Sequence, residues 1–272
     1  MSADAYRSIT FSTDGSVGAA LVSTIKGAGV LRVTPKKQAF ESMPASLPRN
    51  LVLNHDGSAY AFEEYRLTRG ANDLSDPPVE RYLIRRGAKT IGAEHHSAEM
   101  PVFAPSGERL AYKVAKRDKW ALAIEGIDST RFEWDAIGEI VWEKGEPGAE
   151  GLAYIGRIVD KSEAPPENDP AFKPKTTDVV KCVNGQGVEL DGGTEWDEVR
   201  HLVLAPGGAS SRNLAYAARR GAEWFLVYET MSEGKSTIKQ SMGFDYVGQP
   251  VPTATGWAAG AIREREIYWI EI

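Results

Sequence analysis

The chain writes one sentence twice. FAPSGERLAYKVAKRDKWALAIEG begins at Phe103 and LAPGGASSRNLAYAARRGAEWFLVYE at Leu204. Each copy runs through an apolar residue, Ala-Pro, a glycine-bearing turn, Leu-Ala-Tyr, a basic pair and a Trp-led apolar run. Such a repeat constrains the fold before any single motif does. Each copy is one supersecondary unit that cannot bury its face alone and must stack on its neighbour.

Extending the pattern gives six occurrences: SITFSTDGSVGAALVS (8–23), NLVLNHDGSAYAFEEY (50–65), PVFAPSGERLAYKVAK (101–116), EIVWEKGEPGAEGLAYIGRIV (139–159), HLVLAPGGASSRNLAYAARR (201–220) and the degenerate PVPTATGWAAGAIRE (250–264). Their starts lie about forty to sixty residues apart, a spacing that belongs to propeller blades and not to ankyrin or leucine-rich repeats. The turns STDGS, NHDGS and APSGE put Gly where a hairpin needs positive φ, with Asp or Ser free to bond the local backbone. The flanking runs ITF, LVL, VWE and WFLVY are strand chemistry. A third run follows in each unit: GVLRVTP, VERYLIRR, KWALAIEG, DVVKCVNG, EWFLVYE and EIYWIEI. A fourth, RFEWDAI, TEWDEV or GFDYV, leads into the next.

Four strands per unit and six units predict an all-β chain, a single domain over 1–272 built as a six-bladed β-propeller of four-stranded antiparallel blades. The last unit stops at its third strand, Trp269-Ile270-Glu271-Ile272, while Ala3-Asp4-Ala5-Tyr6-Arg7 precedes the first unit. The expectation is that this N-terminal strand supplies the outer strand of the last blade, closing the ring and removing an exposed edge.

These residues resemble a known family. Ser12-Thr13-Asp14-Gly15, Pro105-Ser106-Gly107, the Leu-Ala-Tyr triplets at 110–112, 152–154 and 214–216, and Trp134-Asp135 with Trp196-Asp197 look like the WD40-like (PD40) repeats of TolB-type six-bladed β-propellers. The third and fifth units match best and the sixth is degenerate. The resemblance implies a rigid scaffold that presents a ring of loops to another macromolecule. It does not bring the partner of TolB with it, because TolB is periplasmic and carries a second N-terminal domain, for which this sequence shows neither signal nor room. A fold of this kind hosts many functions.

Composition narrows the classes of function. A formal charge of -6 speaks against sequence-independent nucleic-acid binding. The pairs Arg85-Arg86, Lys116-Arg117 and Arg219-Arg220 read as solvated strand edges. The single cysteine, Cys182, excludes an intramolecular disulfide and a cysteine metal cluster, and its alternating context makes it a small buried hydrophobe. MSADAYRSITFS lacks a basic and an apolar region, and no apolar run is long enough to insert in a membrane. Together these point to the cytoplasm. There is no G-x-S-x-G elbow, P-loop or H-E-x-x-H, so neither a cofactor nor a metal is expected. His95-His96 is the one histidine pair; adjacent strand residues face opposite ways, so the two read as loop or strand-end histidines and not as a metal pair.

Trp134-Asp135, Trp196-Asp197 and Asp245 stand just before innermost strands. Their plain use is packing by the Trp and amide binding by the Asp; their sharper use is an acidic rim of Asp135, Asp197 and Asp245 at the channel mouth. Two Pro-, Asp- and Asn-rich insertions, at 67–80 and 160–177, fall on the same side of the predicted disc, where loops carry function. Candidate partner-binding residues are therefore Asp73, Asp76, Phe172 and Lys173 with the three aspartates; none is assigned a catalytic role. The leading reading is a non-enzymatic protein-interaction scaffold or assembly subunit whose partner is a protein or larger protein complex. The alternative is a propeller enzyme of hydrolase or lyase type with its site at the channel mouth, which needs converging carboxylates or histidines. A purely structural subunit is a third reading, and a contiguous apolar patch near Trp257 and Trp269 would support it.

Overall fold

The computed structural model describes residues 5–24, 27–43, 47–68, 79–127, 131–147, 150–162, 174–190, 193–205, 211–232 and 235–272. Two compact units divide the chain, Met1–Glu133 and Trp134–Ile272. Among the described residues both are built of antiparallel sheets, and no helix occurs.

The first unit holds three sheets. One is β1 (Ala5–Phe11), β2 (Gly18–Thr24), β3 (Gly27–Val33) and β4 (Gln38–Ser42), hydrogen-bonded in that order. The next is β5 (Leu47–Leu53), β6 (Tyr60–Thr68), β7 (Val79–Arg86) and β8 (Lys89–His95). The third is β9 (Ser97–Phe103), β10 (Leu110–Lys116) and β11 (Lys119–Ile124).

The second unit repeats the plan. β12 (Ala136–Trp142), β13 (Leu152–Val159) and β14 (Thr176–Val183) are followed by two short strands, β15 (Glu189–Leu190) and β16 (Glu195–Trp196), that both pair with β14. β17 (Glu198–Ala205), β18 (Ser211–Arg220), β19 (Glu223–Ser232) and β20 (Lys235–Gln240) form a full four-stranded sheet. In the last sheet β21 (Tyr246–Val247) and β22 (Val251–Pro252) pair with β23 (Trp257–Arg263), which pairs with β24 (Glu266–Glu271).

The sequence reading therefore holds at the level of an all-β chain of repeated four-stranded antiparallel meanders, and the six third runs are β3, β7, β11, β14, β19 and β24. Closure differs. Ala5 and Tyr6 pair with Ser23 and Val22 of β2, so this stretch begins the first sheet's own first strand. Among the described residues β24 pairs with β23 alone. The pairing of β1 with β2 passes through a register shift between Tyr6 and Ser8 before continuing along Ser8–Phe11.

Within each unit the sheets stack face to face. Ala19, Leu21 and Val30 of the first sheet pack on Leu51, Tyr60 and Phe62 of the second. Ile84 and Ile91 of the second pack with Leu110, Tyr112 and Val114 of the third. In the second unit Ile155, Val180 and Cys182 meet Leu204, Leu214 and Tyr216, and Leu226 and Phe244 meet Val247 and Ala261. The Leu-Ala-Tyr triplets are thus core, since all three are buried where two sheets meet. Burial pushes the Cys182 thiol up to about 12, which leaves it protonated and inert.

The turns also stack. Gly57 has φ 67°, and a Cβ there would lie 2.4 Å from Val17 in the turn of the preceding sheet. Only glycine meets both demands. The basic pair Arg85-Arg86 corrects the reading of a solvated edge: Arg86 donates to the Gly107 and Glu108 carbonyls at 2.7 Å each and pairs with Glu125 at 3.0 Å. Its guanidinium tethers the second sheet to the turn of the third.

Two apolar faces stay uncovered among the described residues. On the first sheet Ile9 and Phe11 are 66% and 69% exposed; on the last sheet Ile267 and Trp269 are 84% and 63% exposed. Trp257, by contrast, is buried with Ala258 and Ala259.

Candidate functional site

The chain turns a corner wherever it leaves the outer part of one sheet and enters the first strand of the next. Three corners carry an aromatic residue followed by aspartate, and their geometry is the same. The amide of Asp135 donates to the Arg157 carbonyl at 2.9 Å, that of Asp197 to Arg219 at 2.9 Å, and that of Asp245 to Ile262 at 2.8 Å. Each carboxylate then accepts the amide of the residue two further along: Val159 at 2.9 Å, Gly221 at 2.6 Å and Glu264 at 2.8 Å. The aspartate thus clamps the corner to the end of the second strand of the sheet being entered. Asp135 also pairs with Lys161 at 3.1 Å. The plain use of these residues, amide binding, is what the geometry displays. A rim of three free carboxylates is not present.

The preceding aromatic fills the corner. Trp134, Trp196 and Phe244 are at most 5% exposed. Trp134 covers Gly156, where a Cβ would come within 2.4 Å of the indole, and meets Tyr154 edge-on at 6.3 Å. Trp196 lies under the Arg220 guanidinium at 4.4 Å. Phe244 packs beside Tyr268 at 5.9 Å.

A fourth corner of this kind is built from His95-His96. The His96 amide donates to the Ala115 carbonyl at 3.2 Å, and its Nδ1 accepts the Arg117 amide at 2.9 Å. Histidine therefore does here what aspartate does elsewhere. The role of His96 escaped sequence reasoning, and the two histidines line one and the same cavity. A signal existed. Met100 is left-handed, with φ 51°, and stands as far beyond His96 as left-handed His201, with φ 57°, stands beyond Asp197.

At this corner the aromatic's place is taken by His95, a smaller ring, half-buried and 6.3 Å from Phe132. The corner is not filled. A cavity of about 320 Å³ opens there, lined by Arg81, Glu94, His95, His96, Ala115, Lys116 and Phe132. Burial, with the His96 charge second, holds the His95 pKa below its ordinary 6.5, so His95 is neutral at neutral pH. Nδ1 of His96 accepts a hydrogen bond, so neutral His96 carries its proton on Nε2 and offers a donor. Glu94 pairs with Arg66 at 3.7 Å. Arg81 is bonded through Nη1 to the Glu80 carbonyl at 3.2 Å, and among the described residues no carboxylate pairs with Arg81 or Lys116. On a chain of net charge -6 this cavity is locally basic.

The other predicted positions, Asp73, Asp76, Phe172 and Lys173, lie outside the described residues. The first insertion leaves β6 at Thr68 and enters β7 at Val79, two residues before Arg81.

Carboxylates near the first-strand bulges also serve the backbone. Glu63 accepts Asn50 Nδ2 at 2.8 Å and the Met100 amide at 2.7 Å. Glu139 accepts the His201 and Leu202 amides at 3.1 and 2.8 Å. Among the described residues no three His, Cys, Asp or Glu side chains are grouped to hold a metal.

No protein-family model matches the sequence, and no curated protein matches it. Among solved structures, the chain is similar to the beta-propeller domain of the trilobed protease from Pyrococcus furiosus at 12% identity and a TM-score of 0.45, over 99% of this chain and 81% of that one. It is similar to acylaminoacyl peptidase from Pyrococcus horikoshii at 13% identity and a TM-score of 0.41, over 83% of this chain and only 39% of the peptidase. TolB from Acinetobacter baumannii matches at 12% identity and a TM-score of 0.33, over 87% of this chain and 56% of TolB. Similarities of this depth fix neither a family nor an activity.

Proposed function

We propose that this chain is a non-enzymatic protein-interaction scaffold or assembly subunit that presents one loop-bearing end of its sheets to a partner protein. One observation carries the reading. At the His95-His96 corner, in contrast to the three corners filled by Trp134, Trp196 and Phe244, a cavity of about 320 Å³ is lined by cationic, imidazole and aromatic groups. Its size and lining suit recognition of another molecule. In the second unit the three corner aspartates, the carboxylates weighed for a channel-mouth enzyme, are engaged with backbone amides instead. The same reading takes the sheets as the six blades of one propeller, supported by the recurrence of four-stranded antiparallel sheets. It takes the protein as cytoplasmic, supported by its single cysteine.

The test is a native pull-down with the full chain, a form lacking residues 70–77 and a form lacking 161–176. A partner recovered with the full chain and lost with either deletion, while both variants melt like the parent, is the expected result. Recovery of the same proteins by all three forms would remove both insertions from the binding surface and overturn the proposal.

A further inference from the structure

We propose that the cavity at the His95-His96 corner binds a carboxylate side chain of an acidic peptide segment, with the neighbouring peptide residue packing on Phe132. This deepens the scaffold reading and rests on it. The chemistry follows from the lining. Arg81 on β7 and Lys116 at the end of β10 bring two positive charges to the cavity, and no carboxylate of the described residues pairs with either. The one acidic lining residue, Glu94, already faces Arg66 at 3.7 Å. His96, its Nδ1 held by the Arg117 amide, offers Nε2–H as a third donor.

Those three groups suit an acceptor of negative charge. A guanidinium binds a carboxylate in two-pronged fashion, and an ammonium adds a point charge. A free cation would meet two like charges, and a purely apolar ligand would leave the donors without partners. Beside them stands an apolar wall, since Phe132 packs against the core cluster of Leu110, Tyr112 and Val114 and lies 6.3 Å from the His95 ring. A neutral His95 completes that wall. Charge at one end and an aromatic surface at the other match an acidic residue next to an aromatic or aliphatic one, and not a bare inorganic anion. The cavity also stands beside the ends of the first insertion, two residues from Val79, where a docked segment would lie.

The experiment uses the full chain and three probes: acetyl-Phe-Glu-Asp-amide, its uncharged analogue acetyl-Phe-Gln-Asn-amide, and inorganic phosphate. Histidine ring resonances are followed by NMR. The acidic peptide is expected to move the His95 and His96 signals in a saturable way, the neutral analogue to leave them in place, and the Arg81→Gln/Lys116→Gln variant to weaken the peptide at least about tenfold. Because that pair is on the surface, the variant's unchanged melting checks its fold. The His95→Trp variant keeps both cations and blocks the space, so it is expected to lose the peptide as well. Equal shifts from the neutral analogue would show that charge is not recognised. Phosphate binding as tightly as the peptide would show a plain anion site. Either result, or no shift with any probe, would overturn the assignment; the scaffold reading would then still stand or fall on the deletion pull-downs.

Discussion

The His95-His96 corner and the Trp196-Asp197 corner share a backbone and differ in what fills it. In both, one amide donates to the second strand of the next sheet and one side chain accepts the amide two residues beyond that carbonyl. The clamp is what the meander demands, because a chain turning from an outer strand to an inner one would otherwise leave these amides without partners. The residue before the clamp is under no such demand. Where it is Trp196, the space between sheets is packed; where it is His95, a cavity remains. One position per corner thus decides between stability and an open site.

The largest way to break this comparison is to empty the packed corner. Trp196→Ala removes a buried indole beneath Arg220 and is expected to cost about 3–5 kcal/mol in urea unfolding. His95→Ala, at a corner already open, is expected to cost below about 1 kcal/mol. Equal losses would mean that His95 packs as Trp196 does and that the cavity is incidental.

Removing the clamp comes next. Asp197→Ala is expected to cost about 1.5–3 kcal/mol, the range for a hydrogen bond to a charged group, and Asp197→Asn to restore part of it. His96→Ala loses only a neutral acceptor and is expected to cost about 0.5–1.5 kcal/mol. A His96→Ala loss as large as that of Asp197→Ala would place the stabilisation in backbone geometry and not in the acceptor's charge.

Much of this was legible in the sequence, and the limits have physical causes. Inner strands such as β10, β18 and β19 could be read because their residues are buried and run apolar: Leu110-Ala111-Tyr112, Leu214-Ala215-Tyr216 and Leu226-Val227 are examples. The fourth strands were harder. KSTIKQ forms β20, yet its residues are mostly exposed and show no alternation, so the strand rests on pairing with β19 that no apolar pattern announces. GFDYV, read as that fourth strand, gives that sheet only the bridge between Phe244 and Trp224, while its Tyr246-Val247 enters the next sheet as β21. Amide binding by Asp135 and Asp197 was legible because Trp-Asp recurs. His96 was not, since a histidine can replace an aspartate as acceptor only through Nδ1, and nothing in one sequence reports which nitrogen faces an amide. Arg81, Lys116 and Phe132 come from three separate runs of chain and meet only once the sheets stack.

Refilling the open corner sharpens the comparison from the other side. If the cavity is the volume an absent indole leaves, His95→Trp is expected to raise stability by about 1 kcal/mol through added apolar burial, read as a small increase in Tm. A loss of stability would show that the walls around Phe132 and Ala115 have closed to a shape no indole fits.

The smallest effect is the pH dependence that His95 carries and Trp196 cannot. Burial first, and the His96 charge second, hold the His95 pKa below its ordinary value of 6.5 in the folded chain. Arg81 and Lys116 also face it, opposed by Glu94, which is paired with Arg66. Once the pH falls below 6.5 the unfolded chain binds a proton at this residue before the folded chain does, so stability rises with pH across that window. His95 imposes no penalty above 6.5, and its penalty grows as the pH falls toward the folded value. Carboxylates across the molecule titrate lower and would hide this in a single melting series. The difference between the parent and His95→Asn isolates it: the parent is expected to lose more stability than the variant between about pH 7.5 and about pH 5.5, a range in which histidine changes charge and ordinary carboxylates do not. Parallel curves would mean that His95 is as well solvated folded as unfolded. The ring would then stand outside the corner, and the difference between the filled and the open corner would lie in the backbone after all.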